Sequence, residues 1–357
     1  MRNRIRRTLV GGLLLVGLVV VPHEPAGADY FGAVTGAAVS VSGTYIPVVG
    51  NFTGDGRDDI FWYAPGSAGE KLWEGYGGGE QPFIKSNAQS VNGTYRPIVG
   101  NFSGDAYDEI FWYAPGTAPD SLWDNPTGGS FTARSMSVSG TYTPIVLDTA
   151  GSWSTIFWYA PGSATDWSWA FSNTSMTKAP QQIGGNHQPL VGDFGGDGSQ
   201  DIFWYTAGTA TDALWTRSGD ATFAKSNQTV NGSYRPAVGQ WSATDDGTDD
   251  ILWLNAAGTD PLFEGTGAGG FSSSTIAIPN RRAIVSDGPG KDLLVLWGGT
   301  APDQVWLRES DGSALLALRG GPKAPEPSVA FTGRFQGTSL GALFFYRAGP
   351  AGELYLR

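Results

Sequence analysis

A repeat that fills most of the 357-residue chain predicts an all-β fold, a propeller of seven four-stranded antiparallel blades. The phrase Ile-Phe-Trp-Tyr-Ala-Pro-Gly begins at Ile60 and returns at Ile110 and Ile156. With its third residue as a marker, the repeats centre on Trp62, Trp112, Trp158, Trp204, Trp253, Trp297 and Phe345. A period of about 47 residues is typical of propeller blades. A straight solenoid is the alternative, but it needs polar capping repeats.

Each repeat contains four short apolar segments, A to D, separated by Gly, Asp, Asn and Pro. In the second repeat these segments are 97–100, 110–113, 122–123 and 131–135. Apolar runs of this length between turn residues are typical of strands, and no helical period competes with them. Each repeat is therefore predicted to form one antiparallel sheet.

The two ends of the chain predict how the ring closes. The last repeat ends after its third segment, at 353–357, whereas a spare strand-like segment, 31–41, precedes the first repeat. Since an unpaired sheet edge is a liability, we expect the N-terminal segment to pair with the C-terminal strands and complete the seventh blade.

The N-terminus has the pattern of a secretory signal. Four arginines precede the apolar run 9–21, and small residues follow at 26–28. An apolar run of about 13 residues is too short to span a bilayer, so we expect cleavage after residue 28; an uncleaved anchor is the alternative. Arg6 and Arg7 partly resemble a twin-arginine signal, which leaves the export route open. Residues 29–357 are then predicted to be one secreted domain, a monomer without a membrane span.

Composition limits the chemistry. The chain has no Cys, which excludes disulfides, thiolate metal sites and cysteine nucleophiles. A net charge of −11 argues against nucleic acid as a partner, because phosphate binding needs a basic surface. After cleavage His187 is the only histidine, and it stands where other repeats have Tyr. A Ser-His-Asp mechanism would depend on that one residue, so catalysis is not favoured.

The A–B loop of the first repeat, Gly50 to Ile60, reads Gly-Asn-Phe-Thr-Gly-Asp-Gly-Arg-Asp-Asp-Ile. It resembles the FG-GAP or VCBS-type repeat of integrin α-chain propellers and many secreted bacterial proteins. The resemblance implies calcium in these loops, and alternating oxygen side chains on a tight loop suit that ion. The candidate ligands are Asn51, Thr53, Asp55 and Asp59, then Asn101, Ser103, Asp105 and Glu109, and finally Asp193, Asp197 and Asp201. The alternative is that these side chains cap their own turns.

A second recurring feature lies just before strand A. Aromatic residues recur there with two arginines beside them, and we predict that they line the mouth of the central channel. These candidate ligand-binding residues are Tyr45, Tyr95, Arg96, Tyr142, His187, Tyr234 and Arg235. Aromatic rings with polar neighbours suit sugar faces and hydroxyls. The alternative is that each tyrosine anchors its own turn through its hydroxyl.

The sequence thus favours a secreted binding module for a glycan or an extracellular protein, with calcium as a weakly bound stabiliser. Two alternatives remain open: a polysaccharide-acting lyase or hydrolase, and an adhesion scaffold that contacts proteins through one face.

Overall fold

The computed structural model describes residues 33–34, 39–78, 81–125, 127–151, 153–172, 175–242, 246–255, 259–279, 281–288, 291–297, 303–308, 315–321, 324, 328–337, 341–349 and 353–356. The predicted signal segment 1–28 and its cleavage site lie outside these residues. Within the described ranges, the chain forms no helix with the length and hydropathy that a membrane crossing requires.

The described elements are 28 strands. In chain order they are β1 (Ala33–Val34), β2 (Ile46–Gly50), β3 (Asp59–Tyr63), β4 (Lys71–Gly78), β5 (Gln81–Asn87), β6 (Arg96–Gly100), β7 (Glu109–Tyr113), β8 (Asp120–Asp124), β9 (Thr132–Met136), β10 (Thr143–Leu147), β11 (Thr155–Tyr159), β12 (Asp166–Ser172), β13 (Ser175–Gln181) and β14 (Gln188–Gly192). The second half of the chain contributes β15 (Asp201–Tyr205), β16 (Asp212–Gly219), β17 (Thr222–Gln228), β18 (Arg235–Gly239), β19 (Asp250–Leu254), β20 (Asp260–Gly265), β21 (Phe271–Ile276), β22 (Arg282–Ser286), β23 (Leu293–Trp297), β24 (Asp303–Arg308), β25 (Leu315–Gly321), β26 (Val329–Gly333), β27 (Ala342–Tyr346) and β28 (Leu354–Leu356).

Six sheets consist of four consecutive antiparallel strands each, and we call them blades 1 to 6. They are β2–β5, β6–β9, β10–β13, β14–β17, β18–β21 and β22–β25. The remaining sheet, the composite sheet, has the order β1-β28-β27-β26. The fold is therefore an all-β propeller of four-stranded blades.

The prediction of a seven-bladed propeller whose ring is closed by an N-terminal strand was wrong: the structure has six complete four-stranded blades, and the composite sheet differs from them. Among the described residues, its outer position is occupied by the two-residue strand β1, paired as Ala33–Leu356 and Val34–Tyr355. Two paired residues contribute little by themselves. The last and first repeats are joined instead by a shared core, in which Trp62 and Trp73 pack with Phe344 and Tyr355.

The strand register also corrects one alignment. Trp297 pairs with Arg282 as Tyr63 pairs with Ile46, so Trp297 occupies the tyrosine position of the repeat. The marker position of blade 6 is therefore Leu296, which pairs with Ala283.

Burial on both faces explains why the second strand of each sheet is the most apolar. In β3 all five residues are buried. Alternate side chains of a strand point to opposite faces, so Ile60 and Trp62 pack toward the composite sheet, whereas Phe61 and Tyr63 pack toward blade 2. The first strands contact one another from sheet to sheet, as β2 with β6 and β18 with β22. The first strands therefore line the propeller axis.

Candidate functional site

The A–B loops use their carboxylates to hold the loop backbone. Asp59 accepts hydrogen bonds from the backbone N–H groups of Thr53 and Gly75, both at 2.9 Å. Glu109 does the same in blade 2, where its Oε2 accepts from Phe102 N at 2.7 Å and Ser103 N at 2.9 Å. Both carboxylates are fully buried, so they satisfy amide groups that water cannot reach.

The amide and exposed acids of these loops form local turns. Asn51 Oδ1 accepts from Gly54 N at 2.9 Å, and Asn101 Oδ1 accepts from Gly104 N at 2.6 Å. Asp55 and Asp105 each accept a 2.8 Å bond from the backbone N–H two residues further on. This is the Asx-turn arrangement that the sequence left as the alternative to calcium.

Blade 4 brings its three predicted metal ligands into one loop. Asp193 accepts from Gly196 N at 2.7 Å and Gly198 N at 2.8 Å, and Asp201 accepts from Gly195 N at 2.7 Å. Asp197 lies close enough to repel both carboxylates electrostatically. Among the described residues, however, no three His, Cys, Asp or Glu side chains form a group that could hold a metal ion.

Burial shifts the proton affinity of these loop acids. Desolvation raises the pKa of Asp59, Glu109, Asp201 and Asp250 to about 7 and that of Asp193 to about 6, in spite of the N–H groups bonded to them. A buried carboxyl group favours its neutral form because the charged form loses its hydration.

The acid that precedes strand B has a function that sequence reasoning missed. Asp108 Oδ2 accepts from Asn51 N of the preceding blade at 2.7 Å, and Asp108 N donates to Asn51 O at 2.9 Å. Asp58 makes the equivalent pair with Arg334 of the composite sheet, at 2.8 and 3.1 Å. Adjacent acids thus have different roles: Asp58 bonds to the neighbouring sheet, and Asp59 bonds to the backbone of its own loop. Their recurrence beside strand B was the available signal.

At the opposite end of the sheets, a buried tyrosine of strand B connects neighbouring blades. The hydroxyl of Tyr113 accepts from Tyr142 N at 2.8 Å and donates to Gly140 O at 2.9 Å. Tyr63, Tyr159, Tyr205 and Tyr346 repeat both bonds with the next blade. Next to each pair, two glycines bridge through their backbones, as Gly116 with Gly140. Gly140 has a φ of 129°, a conformation that favours glycine.

The predicted ligand-binding aromatics Tyr45, Tyr95, Tyr142, His187 and Tyr234 are half-buried at this end. Each ring packs edge-on against the strand-B tryptophan of its own blade, with centroids 5.9–6.2 Å apart. The hydroxyl of Tyr234 donates to Asn231 O at 3.2 Å, whereas those of Tyr45, Tyr95 and Tyr142 have no hydrogen-bond partner among the described residues.

The remaining polar members of the predicted set make contacts between or within blades. Arg96 donates to Tyr142 O at 3.1 Å, and Arg235 donates to Arg281 O at 2.8 Å, each reaching the next blade. The ring nitrogens of His187 lie 2.7 Å from Gly184 O and 2.7 Å from the hydroxyl of Thr206. The structure does not bring these residues together in one cluster; they are spread around the axis.

One predicted residue, Tyr142, lines a cleft between blades 2 and 3 with a volume of about 290 Å³. The floor and walls come from blade 3, and the rim is the segment that joins blade 2 to blade 3. The lining residues are Ser137, Val138, Ser139, Tyr142, Trp158, Trp167, Trp169 and Lys178. Four aromatic residues therefore line this open cleft, together with two serines, a valine and a lysine.

Trp167 distinguishes this cleft from the corresponding places in other blades. It pairs with Trp158 and is only partly buried. The same register position holds Lys71 in blade 1, Ser121 in blade 2 and Ala213 in blade 4. Sequence reasoning did not select Trp167, although a tryptophan outside the repeat pattern was the visible signal.

Hydrogen bonds fix the rim of the cleft. Asp120 Oδ2 accepts from Val138 N at 2.6 Å, and the hydroxyl of Tyr113 holds both Gly140 and Tyr142. Asp120 and Tyr113 are themselves buried in blade 2. The rim of the cleft is thus held in place by the protein's own hydrogen bonds.

No protein-family model matches the chain, and no curated protein matches its sequence. Among solved structures the chain is similar to a lectin from Agrocybe aegerita, solved to explain its specific recognition of non-reducing terminal N-acetylglucosamine, with 15% identity over 79% of this chain and 81% of the lectin and a TM-score of 0.59. It is also similar to BBS1N, solved in complex with ARL6DN, with 12% identity over 91% of this chain and 96% of that one and a TM-score of 0.53. At this identity the similarities establish the fold.

Proposed function

We propose that this protein binds carbohydrate, and that a sugar ring occupies the cleft between blades 2 and 3 with Trp167 as its stacking platform. The observation that carries the proposal is the partly exposed Trp167 beside Tyr142, Trp158 and Trp169. An aromatic ring left partly open to solvent in a concave site offers an apolar face to a ligand.

The size of the cleft supports a small ligand. Its volume of about 290 Å³ is close to the lower end of the roughly 300–1,000 Å³ typical of small-molecule sites. A site of this size suits one or two sugar units at the end of a glycan. Ser137 and Ser139 are exposed on the rim, where their hydroxyls can donate to or accept from sugar hydroxyls.

The similarity to the Agrocybe aegerita lectin provides a precedent in the same fold. That lectin recognises non-reducing terminal N-acetylglucosamine. We propose that the present chain also binds glycans, but the proposal does not extend to the same sugar.

The test is a glycan array probed with the mature protein and with Trp167→Ala. Alanine is the residue at this register position in blade 4, Ala213, so the variant is expected to fold. Lys71→Ala in blade 1 is the matched control, since Lys71 occupies the same position opposite Trp62. We expect Trp167→Ala to lose binding by at least about tenfold, since stacking on an aromatic ring contributes roughly 0.5–1.5 kcal/mol beyond the buried area. Lys71→Ala should bind as the parent protein does.

Two results contradict the proposal. Full binding by Trp167→Ala would remove the cleft from consideration. The absence of binding to every glycan would favour a protein partner, which pull-downs from the medium around the native cells would then identify.

We also propose that calcium, if it stabilises this propeller, binds the A–B loop of blade 4. Asp193, Asp197 and Asp201 belong to this one loop and interact electrostatically, and an ionised carboxylate that accepts an N–H bond retains further lone pairs for a cation. Because the three do not form a metal-holding group in the structure, calcium would have to draw them closer. Millimolar calcium should raise the melting temperature relative to a chelator, and Asp197→Asn should remove that increase. An equal melting temperature in both buffers would contradict the proposal.

The N-terminal pattern supports export, and we propose that the protein acts outside the cell as a member of the FG-GAP/VCBS group. N-terminal sequencing of the protein from culture medium should begin at Asp29. Recovery of the intact N-terminus from the cytoplasm would contradict this proposal.

A further inference from the structure

A lysine in the cleft indicates which glycans enter it. Lys178 pairs with Trp169 across blade 3, and its ammonium nitrogen lies 3.7 Å from the centroid of that indole ring. A cation over an aromatic face is held by the ring's electrons. The Lys178 side chain is exposed, and its ammonium group lies over the ring at the solvent edge of the cleft.

Two other blades contain the same lysine and tryptophan pair, which provides an internal comparison. Lys85 lies 3.9 Å from the Trp73 centroid in blade 1, and Lys225 lies 3.6 Å from the Trp215 centroid in blade 4. Each of these two lysines has a carboxylate close enough to attract it, Glu353 for Lys85 and Asp166 for Lys225.

Lys178 has no such partner among the described residues. Partial desolvation lowers the pKa of Lys178, and no carboxylate of the described residues opposes that shift. It makes no hydrogen bond or ion pair with any described residue, so its three N–H groups are available. No described Asp or Glu side chain lines the cleft.

We infer that the cleft selects glycans whose terminal sugar carries a carboxylate, and that the ammonium group of Lys178 supplies the counter-charge. The inference rests on the proposed glycan binding at this cleft. The aromatic rings would bind the apolar face of the sugar, and the carboxylate would accept a charge-assisted hydrogen bond from Lys178. A cleft that contains an unpaired cation and lacks an acidic acceptor favours such an anionic ligand over a neutral one.

The net charge of the chain, −11, restricts which anionic glycans can reach Lys178. The acidic surface repels a long polyanion, but charges further away than about 8–10 Å are largely screened at physiological salt. A single carboxylate in the cleft therefore responds mainly to Lys178. The expected ligand is a glycan with an acidic terminal residue rather than a densely charged polymer.

The experiment compares sugars that differ only in the acid group. A glycan array with matched acidic and neutral members is followed by calorimetric titration with methyl glucuronide against methyl glucoside and methyl galacturonide against methyl galactoside. We expect the acid of the bound pair to bind at least about tenfold more tightly, because a hydrogen bond to a charged group contributes more than a neutral one.

Lys178→Met tests the assignment, since methionine retains an apolar chain over Trp169 without the charge. It should weaken binding of the acid by about tenfold and leave the neutral sugar unchanged. Lys85→Met is the matched control because it removes the equivalent contact between an ammonium group and an indole ring in blade 1. It should change the affinity for neither the acidic nor the neutral sugar. Lys178→Arg should restore much of the preference for the acid.

The results separate this inference from the proposed function. Equal binding of acid and neutral sugars, binding to neutral array members alone, or equal weakening of both sugars by Lys178→Met would overturn the acidic selectivity while glycan binding stands. If the unmodified protein binds no member of the glycan array, both the acidic selectivity and the proposed glycan binding are overturned.

Discussion

The two ends of the propeller use different side chains for the same task of joining neighbouring sheets. At the end formed by the A–B loops, buried acids such as Asp108 and Asp58 accept hydrogen bonds from the backbone of the neighbouring sheet. At the end formed by the B–C and D–A loops, the tyrosine hydroxyls and paired glycines join the blades, as Tyr113 does with Gly140. We call these the acidic end and the aromatic end.

The comparison teaches where a ligand site can form. The buried carboxylates of the acidic end are occupied by N–H donors of the protein itself. At the aromatic end, the phenol of strand B and the aspartate that begins strand C are hydrogen-bonded to the backbone, whereas the next aromatic ring remains half-buried. Ring surface is therefore available at the aromatic end, and blade 3 adds Trp167 to it.

The largest expected effect is at the acidic end. Glu109→Ala removes the acceptor of two backbone N–H groups and of the Ser103 hydroxyl. We expect a loss of about 3 kcal/mol in the free energy of unfolding, since each orphaned buried donor costs about 1–3 kcal/mol. Chemical denaturation measures it. Asp105→Ala, which removes one exposed acceptor, is the control and should lose less than about 1 kcal/mol. Equal losses for both variants would contradict the assigned role.

The acidic end should also make stability depend on pH. The pKa of Asp59, Glu109, Asp201 and Asp250 is raised to about 7 in the folded protein, so between about pH 4 and 7 the folded state binds more protons than the unfolded one. Stability from these groups is present at the acidic side of this window and is lost as the pH rises through 7. The melting temperature should be higher at pH 5 than at pH 8, and Asp250→Asn should reduce the difference. A melting temperature that rises across this interval would refute the shifts.

At the aromatic end, a matched pair of tyrosines separates stability from binding. Tyr113→Phe and Tyr63→Phe each remove a hydroxyl with two hydrogen bonds, so each should cost about 1–2 kcal/mol of stability. Only Tyr113 holds the rim of the cleft, so only its variant should also weaken glycan binding, by about three- to tenfold. Calorimetry and denaturation of both variants provide the comparison. Equal effects on binding would show that the rim is not positioned in this way.

The smallest expected effect is a gain in stability. In blades 2 to 5 an aspartate at the start of strand C accepts two loop N–H groups, as Asp120 does from Ala114 and Val138. Blade 1 has Glu70 there, 2% exposed, and neither carboxylate oxygen has a partner among the described residues. Glu70→Asp should place the carboxylate within reach of the loop and add about 1 kcal/mol. A lower melting temperature for this variant would contradict that explanation.

Much of the fold could be predicted because the same pattern of strand and turn residues recurs in every repeat. The Trp62 series marks strand B, and four short apolar segments in each repeat predict one sheet. The chain ends were predicted less well, because a segment such as 31–41 has strand-like residues but its pairing depends on which neighbours are within reach. Trp297 was misaligned for a similar reason, since only the register with Arg282 assigns its face.

The candidate site was partly accessible from the sequence. Tyr142 was selected because it recurs, but recurrence directs attention to what all blades share. Trp167 is a tryptophan where other blades have a different residue. Lys178 differs from the other lysines of this kind because no carboxylate of the described residues lies near it. A search for recurring residues detects neither property.

By itself the sequence determined the all-β class and the length of the repeat, because strand and turn preferences are local and are repeated along the chain. Only the tertiary structure decided which carboxylates hold amide groups, how the last and first repeats meet, and which of several lysine and tryptophan pairs lacks a counter-charge. Hydrogen bonds between sheets, the junction of the last and first repeats and the counter-charges of the lysines depend on residues that lie far apart in the sequence and become neighbours only when the blades pack.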